Sequence, residues 1–200
     1  MYNKSVSGVD LFREKQEYNN FLNGFKKYFS PYTSILAYCL IPNHFHFLIK
    51  INEFDHNRLA KEKTKSARLF LEGKINENAF LQDQMRRFFS GVALKINNKY
   101  NRQGSIFLNR TKRVAINSKR DFEFKMCYVH HNPIHHGLCK SYDQWEYSSY
   151  NSFLHDDTPV ASVYEVLELI GDGDVVAGKE NFRLLHSEFI ENFNHDEYVR

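Results

Sequence analysis

Residues 33–51 read Thr-Ser-Ile-Leu-Ala-Tyr-Cys-Leu-Ile-Pro-Asn-His-Phe-His-Phe-Leu-Ile-Lys-Ile. The apolar runs on both sides of Pro42-Asn43 predict two strands, 33–41 and 43–51, joined by a tight, hairpin-like connection. Side chains alternate between the two faces of a strand, so one face of the second strand is predicted to meet a core: Phe45, Phe47, Ile49 and Ile51. The opposite face is predicted to be open: His44, His46, Leu48 and Lys50.

The histidine pair on that open face is a candidate metal site. Two neutral imidazoles on one side of a strand offer two nitrogen donors to a divalent cation. The chain has ten histidines, however, and a spacing of two arises easily by chance. The pair alone therefore leaves two interpretations open: a metal site, or a half-exposed strand on which histidine and aromatic residues happen to alternate.

Hydrophobic periodicity predicts the elements around the hairpin. Helices are expected at 14–29, 79–99 and 119–132, strands near 2–7 and at 105–116, and a short helix with mobile loops within 53–78. Pro133 is expected to end the third helix. This order predicts an α+β fold, a ferredoxin-like or RRM-like split βαβ sandwich whose antiparallel sheet has helices on one face and a site on the other.

A change of composition near residue 155 predicts the domain boundary. Residues 1–155 would form the main domain, which carries the histidine pair, and 156–200 an acidic C-terminal extension, with helices at about 161–170 and 178–192.

Composition excludes several classes of protein. With 200 residues, 42% hydrophobic and 16% aromatic, the chain is predicted to be globular. No apolar run approaches the roughly 18 residues of a membrane span, and no signal-peptide pattern is present at the N-terminus. Cys39, Cys127 and Cys139 show no CxxC spacing, which favours reduced cysteines in a cytoplasmic protein.

Charge is distributed unevenly along the chain. Residues 85–125 carry eleven basic side chains against two acidic ones, whereas residues 156–200 carry three against eleven. A basic middle favours a polyanion as partner, although a solvated helix face would look the same. Four aromatic residues interleave with the cations, and they either stack on bases or belong to the core: Phe88, Phe89, Tyr100 and Phe107.

The end of the helix at 119–132 offers a candidate nucleophile. Tyr128 and Asn132 are four residues apart and share a helix face, with His131 nearby. A phenol that faces two metal-binding histidines suits nucleophilic attack on a phosphodiester. The free phenol has a pKa of about 10, so its surroundings would have to lower it. Because the chain has twelve tyrosines, packing remains the alternative for this one.

Four ordered blocks resemble the HUH-type single-tyrosine transposases, and most closely the REP-associated tyrosine transposases of bacteria. They are Ala-Tyr-Cys-Leu-Ile-Pro-Asn-His-Phe-His-Phe-Leu (37–48), Arg-Gln-Gly-Ser-Ile-Phe (102–107), Tyr-Val-His-His-Asn-Pro-Ile (128–134) and Trp-Glu-Tyr-Ser-Ser-Tyr (145–150). The resemblance implies that His44 and His46 are metal ligands and that Tyr128 is the nucleophile. Asn132 would complete the metal site, with His131 as the competing candidate. Seven cations are the candidate DNA contacts: Arg102, Arg110, Lys112, Arg113, Lys119, Arg120 and Lys125.

The chain departs from the family pattern at a few positions. Ile41 replaces the usual Met, and Leu108 stands where a Gln is common, which puts in doubt a DNA contact from that position. His135-His136 replaces the usual Val-Arg; the pair either contacts the DNA backbone or is plain surface, and plain surface is the favoured interpretation. Trp145, Ser148 and Ser149 are expected to be structural.

The resemblance implies a DNA transposase and endonuclease that cleaves and rejoins single-stranded or hairpin-associated DNA through a 5′-phosphotyrosine intermediate. It implies Mg²⁺ or Mn²⁺, no nucleotide cofactor, no membrane partner, and a monomer or a homodimer. Three alternatives remain: a replication or mobilisation initiator with the same chemistry, a non-catalytic or domesticated regulator that binds hairpin DNA, and an RNA-binding domain of the same sandwich class.

Overall fold

The computed structural model describes residues 1–108, 111–155 and 160–193. Three strands and eight helices follow in chain order: β1 (Tyr2–Lys4), α1 (Lys15–Phe29), β2 (Thr33–Ile41), β3 (His44–Ile51), α2 (His56–Leu59), α3 (Lys65–Leu71), α4 (Glu77–Lys99), α5 (Lys119–His135), α6 (Tyr150–His155), α7 (Val163–Ile170) and α8 (Val175–Asn192). A 3₁₀ turn, Tyr142–Gln144, precedes α6. Within this described part, no helix is both long and apolar enough to cross a bilayer.

The predicted α+β class with an antiparallel sheet is confirmed. The strand order is β1-β3-β2, which puts the histidine-bearing strand in the centre of the sheet. The connection between β2 and β3 consists of Pro42 and Asn43, as the sequence predicts. Beyond β2, the backbone of 147–149 pairs with the strand: Leu40 N–H donates to the Tyr147 carbonyl and Ser149 N–H to the Tyr38 carbonyl, both at 2.9 Å. The indole of Trp145 donates to the Leu40 carbonyl at 2.8 Å, so this segment has the expected structural role.

The predicted strand at 105–116 is not regular in the described residues. Two isolated antiparallel bridges, Ser5 with Phe107 and Tyr2 with Lys112, replace it. Gly104 precedes this segment at a φ of 93°. The sequence after Leu108 is polar and lacks the apolar alternation that holds a strand on a core. The described residues of this segment therefore pair with the N-terminal segment only at isolated positions.

Helix α5 extends beyond its predicted end. Pro133 lies inside the helix, and the chain leaves it only after His135. Proline lacks an N–H group and so removes one hydrogen bond, but the next turn is still formed, because His136 N–H donates to the Asn132 carbonyl at 3.0 Å. Gly137, at a φ of 67°, then turns the chain away, as glycine commonly does after a helix.

The face of β3 that was predicted to be open is covered. His44 and His46 are only 7% and 9% exposed, and Leu48 is buried as well. Helix α5 lies over this face, since its Asn132 side chain contacts the His44 ring. The opposite face agrees with the prediction at Phe45 and Phe47, but Ile51 at the strand end is exposed and does not reach a core.

The chain forms two compact units. The first comprises residues 1–3, 35–49 and 111–200, and the second comprises residues 4–34 and 50–110. The helices predicted in the C-terminal extension are confirmed as α7 and α8. They belong to the first unit, and the predicted domain boundary at residue 155 stays a prediction.

The second unit has an aromatic core between α1 and α4. The rings of Phe21 and Phe25 lie 5.2 and 5.7 Å from the ring of Phe88. Phe88 and Phe89 are 5% and 8% exposed, so they are packing residues and not a surface on which bases could stack. The segment 53–78, predicted to hold a short helix with mobile loops, forms two short helices, α2 and α3. They bury Leu59 and Ala67 in a smaller cluster with Phe54 and Phe80.

Candidate active site

The candidate site lies within the first unit, where β3 and α5 meet. His44 begins β3, and its imidazole is held at both nitrogens. Nδ1 lies 2.7 Å from Oδ1 of Asn43, and Nε2 lies 2.8 Å from Oδ1 of Asn132. Position 43 in the connection and position 132 on α5 thus fix the plane of one imidazole between them.

This arrangement suits a cation between His44 and Asn132. A neutral imidazole carries one N–H, and if Nδ1 donates it to Asn43, the lone pair of Nε2 faces an amide oxygen. His44 Nε2 and Asn132 Oδ1 would then be two acceptors 2.8 Å apart, and two acceptors repel each other. The repulsion is removed if a positive charge lies between them, if the His44 ring is doubly protonated, or if the Asn132 side-chain amide is rotated. The first case is the usual one at metal sites, where the second ring nitrogen of a ligating histidine is held by an oxygen. The residues present therefore fit a divalent metal ion.

His46 supplies the second imidazole. Its ring is 5.3 Å from that of His44 and 5.7 Å from that of Tyr128, with interplanar angles of 76° and 80°. Burial holds the pKa of His46 well below its usual value, and the nearby His44, N-terminal amine and His136 lower it further. A neutral imidazole has the free lone pair that a metal ion requires.

Tyr128 is half-buried on α5, one turn before Asn132. Burial raises the pKa of its phenol above the usual value, and the neighbouring Tyr2 raises it further, while a hydrogen bond with Asn132 opposes both. The expectation that the site would lower this pKa is therefore not met by the side chains alone. A cation beside Asn132 would have to supply the missing positive potential.

Of the two candidates for a third donor, the geometry favours Asn132. His131 faces the other way: its Nδ1 lies 3.3 Å from the Tyr142 hydroxyl, and its ring lies 4.8 Å from that of Phe193. Burial lowers the pKa of His131 to about 4. Among the described residues, no three His, Cys, Asp or Glu side chains form a group that could hold a metal ion.

Two residues at the site were missed by the sequence analysis. His136 is exposed, as expected of a surface residue, but its ring lies 4.7 Å from that of His44, which was not predicted. The signal was present, because Tyr128, Asn132 and His136 are spaced by four and share one face of a helix. Tyr2 stacks on His46 with ring centroids 5.4 Å apart and an interplanar angle of 16°. Nothing in the local sequence pairs these two residues, since their contact depends on the order of the strands.

The predicted DNA-binding cations are spread over both units. In the first unit Lys112, Arg113 and Arg120 are exposed, and Lys119 pairs with Asp172 at 2.5 Å. The Lys125 ammonium lies 5.3 Å from the centre of the Phe124 ring. Arg102 belongs to the second unit, where one of its guanidinium nitrogens is buried without a hydrogen-bond partner. Arg110 lies outside the described residues, and the role of all seven cations stays a prediction.

Comparison with known proteins gives two matches. No protein-family model matches the chain. A Haemophilus influenzae protein named as a REP-associated tyrosine transposase is 26% identical over 148 residues, which cover 70% of this chain and 74% of the relative. A solved structure, of a REP-associated tyrosine transposase bound to a REP hairpin, aligns with a TM-score of 0.52 over 76% of each chain at 15% identity, a likeness of fold. In sequence and in fold, the chain is thus similar to the REP-associated tyrosine transposases, which confirms the resemblance indicated by its motifs.

Proposed function

We propose that this protein is a metal-dependent DNA transposase that cleaves and rejoins single-stranded DNA beside a hairpin, with Tyr128 as the nucleophile. The observation that carries the proposal is the convergence of Tyr128 and Asn132 from α5 with His44 and His46 from β3. The solved neighbour is bound to a REP hairpin, which supports hairpin DNA as the class of substrate.

The proposed reaction is a transesterification. The Tyr128 oxygen attacks a backbone phosphorus, the bond from phosphorus to the 3′ oxygen breaks, and the phenol proton is lost while the leaving oxygen gains one. The product is a 5′-phosphotyrosine and a free 3′ hydroxyl. One ester bond replaces another, so a 3′ hydroxyl can reverse the step and rejoin the strands without a nucleotide cofactor.

His44, His46 and Asn132 would hold Mg²⁺ or Mn²⁺. The bound ion would supply positive charge for the phosphate oxygens and for the developing phenolate. Asn43 keeps the His44 ring in place, and Asn132 contacts both His44 and Tyr128. An Asn132 side chain placed in this way couples the position of the nucleophile to that of the metal ligands.

All of these side chains come from one copy of the chain. The Tyr128 ring lies 5.7 Å from His46 of the same chain, so a tyrosine from a second copy is not needed to complete the site. We propose that a monomer can carry out cleavage, whether or not it also dimerises.

The test is covalent adduct formation with Tyr128→Phe. The wild-type protein, incubated with Mn²⁺ and a single strand that carries a palindrome from its own genome, should give a protein–DNA adduct that is lost on chelation. Tyr128→Phe should bind the hairpin nearly as well but form no adduct. Tyr164→Phe is the matched control, because that tyrosine is exposed on α7.

Peptide mass spectrometry of the wild-type adduct shows which oxygen reacted. An undiminished adduct in Tyr128→Phe would refute the assignment, and Tyr2 would then be the first residue to examine. Hairpin binding without any cleavage by the wild-type protein would instead favour the non-catalytic regulator. Cleavage of a replication or transfer origin in preference to a palindrome would favour the initiator.

A further inference from the structure

We infer that Tyr2 is a positioning residue of the candidate metal site, which fixes the plane of the His46 ring by stacking on it. The inference rests on the proposed function, because it assigns Tyr2 a task at the same site. It also gives a role to a residue near the start of the chain, far in sequence from Tyr128.

The geometry distinguishes Tyr2 from the other rings around His46. Tyr2 lies nearly parallel to the imidazole, at 16°, whereas His44 and Tyr128 approach it edge-on, at 76° and 80°. A parallel ring prevents the imidazole from rotating about the bond to its Cβ atom, because rotation would drive one edge into the stacked ring.

The position of Tyr2 is itself fixed from two sides. On one side Phe47 N–H donates to the Met1 carbonyl at 2.9 Å, which ties the start of the chain to β3. On the other side Tyr2 and Lys112 exchange two backbone hydrogen bonds of 3.0 Å. The Lys112 ammonium also lies 5.7 Å from the centre of the Tyr2 ring, within the range of a cation–π contact.

The plane of the ring matters because the lone pair of an imidazole nitrogen lies in that plane. A ligand whose ring rotates directs its lone pair away from the metal ion, and supporting residues that prevent this are worth about 10- to 100-fold in metal affinity. For His44 the Asn43 amide gives this support through a hydrogen bond. For His46, stacking against the Tyr2 ring gives the support that the hydrogen bond gives His44.

The experiment measures Mn²⁺ affinity by electron paramagnetic resonance on the full chain, without DNA. Tyr2→Phe keeps a flat ring and should bind Mn²⁺ nearly as tightly as the wild-type protein. Tyr2→Leu removes the ring and should lose about 10- to 100-fold in affinity. Tyr164→Leu, on the surface of α7, is the matched control and should bind like the wild-type protein.

Each outcome of the Mn²⁺ measurement supports or overturns the inference. Wild-type affinity in Tyr2→Leu would overturn the inference while leaving the metal site intact, and a loss in Tyr2→Phe equal to that in Tyr2→Leu would overturn stacking in favour of the hydroxyl. If the wild-type protein binds no Mn²⁺, the metal part of the proposed function fails and the role of Tyr2 fails with it. Thermal unfolding checks that each variant is folded. Should Tyr2→Leu not fold, Tyr2→Met replaces it, since methionine has no flat ring.

Discussion

Acid should destabilise this protein through a histidine that is far from the surface. His186 on α8 is 1% exposed. Its Nδ1 lies 2.7 Å from the Phe182 carbonyl, which can only accept, so Nδ1 carries the proton. Its Nε2 must then accept from Nδ1 of His130, at 2.8 Å, and Nε2 of His130 lies 2.8 Å from the Ser149 hydroxyl oxygen. This chain of hydrogen bonds requires a neutral His186, because its Nε2 accepts. Burial also holds the pKa of His130 well below its usual value.

The expected loss of stability follows from the pKa of His186. The pKa of His186 is lowered to about 4, chiefly by burial. The hydrogen bond to the Phe182 carbonyl raises this pKa, and the nearby His131 lowers it. Between about pH 6.5 and pH 4 the unfolded chain therefore binds a proton that the folded chain does not, and stability falls as the pH falls. Linkage gives a loss of about 2 kcal/mol at pH 5 relative to pH 7.5, and about 3 kcal/mol at pH 4.

Urea unfolding from pH 7.5 to pH 5 measures this loss. His186→Gln should be less stable at pH 7.5, but its stability should fall by about 2 kcal/mol less than that of the wild-type protein over this range, because it has no imidazole to protonate. His56→Gln, at an exposed position on α2, should show the full wild-type pH dependence. Parallel pH profiles for the wild-type protein and His186→Gln would refute the reasoning.

Two further predictions test packing and the metal site. Adding a Cβ atom at Gly178 would place it 2.1 Å from the Leu167 carbonyl oxygen where α7 and α8 meet, so Gly178→Ala should lower the free energy of unfolding by more than about 2 kcal/mol. Gly91→Ala, which meets open space on α4, should instead raise it by about 0.5–1 kcal/mol in the same urea titration. Asn132→Ala should weaken Mn²⁺ binding by about 10-fold or more in a fluorescence or resonance titration. His131→Gln should leave that binding nearly unchanged, and the reverse order would make His131 the ligand.

Local sequence patterns were sufficient where neighbouring residues decide the structure. The Pro42-Asn43 connection joins its two strands as predicted, and the alternation along β3 correctly puts Phe45 and Phe47 in a core. The pairing of Tyr128 with Asn132 on one face of α5 also follows from helical spacing alone. Each of these features depends on residues that are close together in the chain.

The contacts of His46 with Tyr2 and of His44 with Asn132 depend on which elements become neighbours. A period of two shows that His44 and His46 share a face, but it cannot show whether that face meets solvent or a helix. The face was predicted to be open because the predicted sandwich has its helices on the opposite face of the sheet. In the structure α5 covers it, and burial is what keeps His46 neutral.

The wrongly predicted end of α5 also explains why the position of His136 beside His44 was not predicted. A helix that ended at Pro133 would have left residue 136 in a loop with no defined direction. Because the helix continues to His135 and the backbone turns only at Gly137, residue 136 lies one further turn beyond Asn132, on the side that faces His44. Proline near the last turn removes a single hydrogen bond, whereas the αL glycine forces the chain to leave the helix, so the glycine sets the boundary. If the helix is taken to end at Gly137 and not at Pro133, helical spacing alone puts the His136 imidazole on the face of Tyr128 and Asn132, beside the site.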